Sequence, residues 1–217
     1  MVAMKTELLK KKRRDIMYNF EMPRLNGWAN EIYSNNVNAG WWKKDIDGLV
    51  IPRNIGELLA LVHSEVSEAH FGLTGPGVVY DDHLTHREMY EVEMGDAVIR
   101  ILDITGHYRI DVDAVISEYE THYDGRWVMS SLTEQIAYIH TEISNALEGA
   151  RKNAPSKIIP SRTAFEVSLA ATLVRIIHTC DDQNLDLMGA LQEKFNYNKS
   201  RADHKLENRA AAGGKQF

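Results

Sequence analysis

At 217 residues, with 31 acidic against 25 basic side chains, the chain carries a formal net charge of −6, which argues against a general nucleic-acid coat or an anionic-membrane binder. A hydrophobic content of 44% supports a packed core, and the single cysteine, Cys180, excludes an intramolecular disulfide and fits a reducing compartment. No apolar run approaches the roughly 18 residues that span a bilayer, and no apolar region follows Lys10–Arg14 as in a signal peptide, so the expected location is the cytoplasm.

Five prolines and scarce β-branched alternation predict an all-α fold. Residues 5–20 read as a first helix with a basic face, the run Lys10–Arg14 being solvated rather than phosphate-binding. From Asn26 to Pro52 the composition is rich in Asn, Gly and Trp and reads as a long connection. Loops of that length in a compact chain are usually functional. Within it Trp41 and Trp42 either stack on a base or plug the core.

Asn54-Ile55-Gly56-Glu57 is a helix-starting box. In the helix that follows, Leu58, Leu61, Val62, Val66 and Ala69 gather on one side, with Glu65 and Glu68 flanking Leu61 there and His63, Ser67 and His70 opposite. Two carboxylates aimed at a core repel each other and lose hydration, and a metal cation offsets both costs. The bland alternative is a solvated Glu pair. This helix ends near Gly72, and Thr74-Gly75-Pro76-Gly77 is a break. A second helix is expected from about Thr85 to Thr105, stopping at Gly106. On it Glu93, Asp96, Arg100 and Asp103 form one polar stripe, which is either a solvent edge or a face turned toward Glu65 and Glu68. In the latter case four carboxylates surround one site of hard oxygen ligands, suited to magnesium or manganese. Asp111 to Tyr123 reads as a third helix.

The pattern then returns. Ser131-Leu132-Thr133-Glu134 is another capping box, and Ile139-His140-Thr141-Glu142-Ile143-Ser144-Asn145-Ala146 matches Val62–Ala69 at an offset of 77. Leu173–Ile177 echoes Val98–Leu102 at an offset of 75. The chain therefore reads as a single domain, 1–217, made by tandem duplication, with repeats about 55–126 and 132–201. The copies differ where chemistry would sit: Glu68 becomes Asn145, Glu93 becomes Ser168 and Asp96 becomes Ala171, while Glu65 persists as Glu142. Conversely Lys194, Asn198 and Arg201 share one face of the last helix, where the first copy has Tyr119, Tyr123 and Arg126. Cations with an amide suit phosphate and base recognition, the alternative being a solvated helix end.

Glu65-x-x-Glu68 followed by Glu93-x-x-Asp96 resembles the signature of the all-α nucleoside triphosphate pyrophosphohydrolases, the superfamily of MazG and the dimeric dUTPases. His63–Ala69 and Asn198–Arg201, with the Gly-Gly-Lys ending, look like the MazG-like proteins encoded by bacteriophages. The resemblance covers most of residues 25–217. It implies that Glu65, Glu68, Glu93 and Asp96 bind Mg2+ (Mn2+ as a substitute) and that a (d)NTP is cut between the α and β phosphates. Products would be the monophosphate and pyrophosphate. Glu65 or Glu68 would activate water, Lys194 and Arg201 would hold phosphate, and Asn198 with Trp41 or Trp42 would read the base. The implied partner is a small-molecule nucleotide, not polymeric nucleic acid or a membrane. The chain would be a pseudo-dimer, with homodimerisation left open. The competing readings are a non-catalytic helical nucleotide- or metal-binding module and a structural adaptor.

Overall fold

The computed structural model describes residues 22–74, 76–122, 131–204 and 208. Among the described residues are seven α-helices and no strand: α1 (Asn26–Asn38), α2 (Ile55–Leu73), α3 (Met89–Tyr108), α4 (Val112–His122), α5 (Leu132–Lys152), α6 (Ala164–Asp182) and α7 (Leu187–Ser200). The fold is all-α, as the composition predicts. The helix expected over residues 5–20, Arg126 and the Gly-Gly-Lys ending lie outside the described residues.

Local chemistry accounts for the helix boundaries. The Asn54 side chain accepts from the backbone N–H groups of Gly56 and Glu57 at the start of α2, satisfying donors that the first turn leaves without partners. Ser131 and Glu134 form a reciprocal capping box on α5, and Thr163 and Glu166 form another on α6. Helix α3 begins at Met89 rather than Thr85, because residues 79–88 form a tight loop closed by the Tyr80–Glu88 bridge. It also runs past Gly106 to Tyr108, ending at Arg109 in the left-handed region (φ 54°). Gly106 serves packing instead of termination: a Cβ there would lie 2.5 Å from the Ala29 carbonyl oxygen of α1.

Residues Asn26–Asn38 are helix, not the start of a long connection. Asparagine is a poor helix former, so the reason is tertiary. Ala29 and Ile32 bury against the core, and Asn26 is locked to the start of α4, donating to Asp111 Oδ1 (2.7 Å) and accepting from Val112 N–H (2.9 Å).

Helix α3 is the axis of the core: every residue from Tyr90 to Ile99 is buried. It packs against α1, α2 and α7, and more lightly against α6. Helices α5 and α6 lie along each other as α2 and α3 do, α2 meets α5, and α4 packs on α6. The third helix of each half thus covers the second helix of the other. Side chains such as Val62, Met94, Leu102, Ile139 and Leu173 are wholly buried in this core, each contributing about 1.5–3 kcal/mol.

Contacts recur between the halves at shifts of 75 and 77 residues. The Tyr80–Glu88 bridge has its counterpart in Pro155–Thr163. Asp81 Oδ1 accepts from the N–H groups of His83 and Leu84, as Ser156 Oγ does from Ile158 and Ile159. Arg100 pairs with Glu65, and Arg175 with Glu142. Arg87 reaches across to Glu193, and Arg162 reaches back to Glu118.

Candidate metal centre

The polar stripe of α3 faces inward. Glu93, Asp96 and Asp103 are all at most 9% exposed, so the stripe is not a solvent edge. Glu65 of α2 comes from the facing helix, itself buried, and one oxygen from each of Glu65, Glu93 and Asp96 lies within 4.8 Å of the others. Helix α7 closes the cluster. Lys194, 3% exposed, places its Nζ 3.4 Å from Asp81, 3.5 Å from Glu93 and 3.4 Å from Asp96. Asn198, one turn further on, donates from Nδ2 to Asp96 Oδ1 (3.2 Å), while its buried Oδ1 has no hydrogen-bond partner. The close approach of α7 is allowed by Gly95, whose added Cβ would stand 3.2 Å from the Leu191 nitrogen.

Asp81 is a member that the motifs do not reveal. It belongs to the loop before α3, where two backbone N–H groups hold its Oδ1 and leave Oδ2 for Lys194. A signal exists only in retrospect, in the equivalent capping Ser156 of the second half. Burial pushes the Asp81 pKa up, but the Leu84 N–H, the Lys194 ammonium and the His83 N–H outweigh it, and the net direction is down.

Glu93 and Glu65 are held high. Burial raises the Glu93 pKa to about 8, against the pull of Lys194 and with further repulsion from Asp96 and Glu65. Burial likewise raises Glu65, with the Asp96 charge adding to it and the Arg100 guanidinium opposing it at 2.9 Å. Burial works against the charge of Lys194, yet its pKa rises because Asp96, Glu93 and Asp81 surround it. With all four buried carboxylates (Glu65, Asp81, Glu93 and Asp96) ionised, four negative charges face two cations, Lys194 and Arg100. A further doubly charged cation would complete the balance. The donors are all hard oxygens, so the residues present fit a hard divalent ion.

The remaining expected residues divide. Glu68 is exposed and stands outside the buried triad, accepting from Ser64 Oγ at 3.3 Å. Arg201 is half-buried, its guanidinium lying 5.4 Å over the Tyr197 ring. Trp41 is partly buried and meets His204 edge-on at 5.2 Å. Trp42 is a core residue and not a ring free to stack on a base. It is 1% exposed, its Nε1–H donates to Asp103 at 2.9 Å, and its ring stacks on His107 at 4.1 Å. Asp103 belongs to that contact rather than to the triad. Burial carries its pKa to about 6 despite the Trp42 hydrogen bond and the nearby Arg53.

At the matching positions of the second half, Glu142 is engaged by Arg175, and Asn145, Ser168 and Ala171 supply no carboxylate. No protein-family model matches this chain, no curated protein is significantly similar to it, and no solved structure matches it. No helix among the described residues is long and apolar enough to cross a membrane.

Proposed function

We propose that the protein is a magnesium-dependent pyrophosphohydrolase of (deoxy)nucleoside triphosphates, releasing the monophosphate and pyrophosphate. The observation that carries this reading is the convergence of Glu65, Glu93 and Asp96 beneath Lys194 and Asn198. Glu65, Glu93 and Asp96 would hold the metal, with Glu68 at the rim. When bound, Mg2+ (or Mn2+) supplies neutralisation of triphosphate charge and polarisation of the reacting phosphorus.

The protein's own groups account for the rest. Arg100 fixes the Glu65 carboxylate in place through its Nε and Nη2. Glu68, exposed and aligned by Ser64, is the carboxylate open to accept the proton of an attacking water. Lys194 exchanges carboxylate contacts for phosphate oxygens when the site fills, and Arg201 binds the distal phosphates. Asn198, whose amide both donates and accepts, and Trp41 provide base contacts. We read the two halves as products of a tandem duplication in which one site retains its ligands. The recurrence of contacts at shifts of 75 and 77 supports that reading.

The test is product analysis across the eight common nucleoside triphosphates with magnesium and with manganese. Monophosphate plus pyrophosphate, abolished by chelator, is the expected result. Diphosphate plus orthophosphate would refute the assignment. Metal-dependent thermal stabilisation without turnover would make the protein a binding module instead.

A further inference from the structure

The second half contains a cavity of about 360 Å³ at the place where the first half has its carboxylates. Tyr119 of α4, Val167 and Ala171 of α6 give it apolar walls, and Ser168 and Asn145 offer neutral hydrogen-bonding groups. Its chemistry is inverted relative to the first site. The position of Glu93 is Ser168, that of Asp96 is Ala171, that of Asp81 is Ser156, and that of Asp82 is Lys157. Where Lys194 crosses the first cluster, Tyr119 stands here.

The two acidic residues that line it are already neutralised. Glu142 accepts from Arg175 at 2.8 and 3.1 Å, and Glu148 is bound by Arg151 at 2.8 Å and Lys152 at 2.7 Å. The wall also includes Lys157, an exposed cation on the 154–159 loop. A pocket with apolar walls, neutral polar groups and a lysine at its mouth has no use for a hard metal ion. It suits a small molecule with a flat, mostly apolar body and one anionic group.

We infer that the second half binds a nucleoside monophosphate without metal, its base between Tyr119 and Ala171 beside Asn145 and Ser168, and its phosphate on Lys157. The cavity and its charge stand independently of the proposed activity. Only the choice of nucleoside monophosphate as the ligand rests on that activity, because this is the product it would release. The volume lies near the lower end of the range for small-molecule sites, about 300–1,000 Å³.

The experiment is isothermal titration of the full chain, in excess chelator, with nucleoside 5′-monophosphates, the matching free nucleosides and inorganic phosphate. At least one monophosphate should bind at one site per chain, tenfold or more tighter than its nucleoside or phosphate alone. Lys157→Glu, on an exposed loop, should weaken that binding at least tenfold, and Asn145→Trp should block the mouth, both with unchanged helical circular dichroism. Asp96→Asn should leave it unaltered. Absence of monophosphate binding overturns the inference. So does binding that ignores Lys157→Glu and Asn145→Trp, or that disappears with Asp96→Asn, since the ligand would then occupy the first site. Loss of triphosphate turnover in a protein that still binds monophosphate would count against the proposed activity and not against this pocket.

Discussion

His63 and His140, 77 residues apart in the chain, meet where α2 crosses α5. Their Nδ1 atoms are 2.7 Å apart and their rings stack with centroids at 4.9 Å. They occupy corresponding positions of the two sequence segments related by the 77-residue offset. The hydrogen bond between them is asymmetric: one Nδ1 must carry the proton and the other must accept it.

The pair predicts acid sensitivity. Burial lowers the His63 pKa, and burial followed by the charges of His63 and His70 lowers that of His140. Because both folded values lie below the ordinary 6.5, the unfolded chain takes up protons first as pH falls. The stabilising contribution is complete above 6.5 and is lost as pH drops through the depressed folded values. Glu93 and Asp103, with folded values raised to about 8 and about 6, gain stability over the same fall in pH. The pair's share is therefore read as a difference: from pH 8 to pH 5 the melting temperature of His140→Leu should fall less, or rise more, than that of the wild type. An equal change in the two proteins would show that the imidazoles do not contribute to it.

Much of this fold was legible because apolar period and caps agree. Leu58, Val62, Val66 and Ala69 on α2, and Ile136, Ile139, Ile143 and Ala146 on α5, are all buried. Helix α1 was not legible, since its Asn-rich composition opposes helix and tertiary contacts select it, among them the burial of Ala29 and Ile32 and the contacts with Asp111, Val112 and Gly106. The same limit applies to the site. Glu65, Glu93 and Asp96 follow from i, i+3 spacing and apolar neighbours, whereas Asp81 enters through a loop whose shape depends on backbone hydrogen bonds. Glu68 shows the converse: helical spacing places it near Glu65 but does not decide its exposure.

The adjacent tryptophans should separate stability from binding. Trp42→Ala removes a wholly buried ring and leaves Asp103 without its indole donor, a loss of about 3–5 kcal/mol. Trp41→Ala should keep the fold and weaken nucleotide binding by about 1–3 kcal/mol, mainly in KM. Urea unfolding of both variants, with steady-state kinetics on the second, tests this. If Trp41→Ala also unfolds the protein, its ring is structural.

Gly149 sits where α5 touches the start of α6, and an added Cβ would lie 2.5 Å from the Phe165 nitrogen and 2.8 Å from the Ala164 carbonyl carbon. Both are backbone atoms, so relief requires the helices to separate. Gly149→Ala should cost about 1–3 kcal/mol. Gly27 has nothing within 4 Å of such a Cβ, so Gly27→Ala should be neutral or gain up to about 1 kcal/mol from helix propensity. Equal effects in chemical denaturation would remove close packing as the cause.

Glu65 and Glu142 allow chemistry to be separated from architecture, because each is tied to the arginine of its own half at 2.9 and 2.8 Å. Replacing either by Gln removes a charge from a largely buried pair, at about 1–3 kcal/mol of stability. The surroundings then diverge. Glu65 has Glu93 and Asp96 beside it, whereas Glu142 has Asn145, Ser168 and Ala171 at the equivalent positions. A lone carboxylate does not hold a hard divalent ion tightly against water. Glu65→Gln and Asp96→Asn should therefore remove both the metal-dependent rise in melting temperature and turnover, the latter by orders of magnitude. Glu142→Gln should lower the melting temperature and leave the metal response and turnover in place. Calorimetry with and without magnesium, alongside pyrophosphate release, distinguishes them. Equal loss of metal response in Glu65→Gln and Glu142→Gln would mean that both halves bind metal, and the single-site reading would be abandoned.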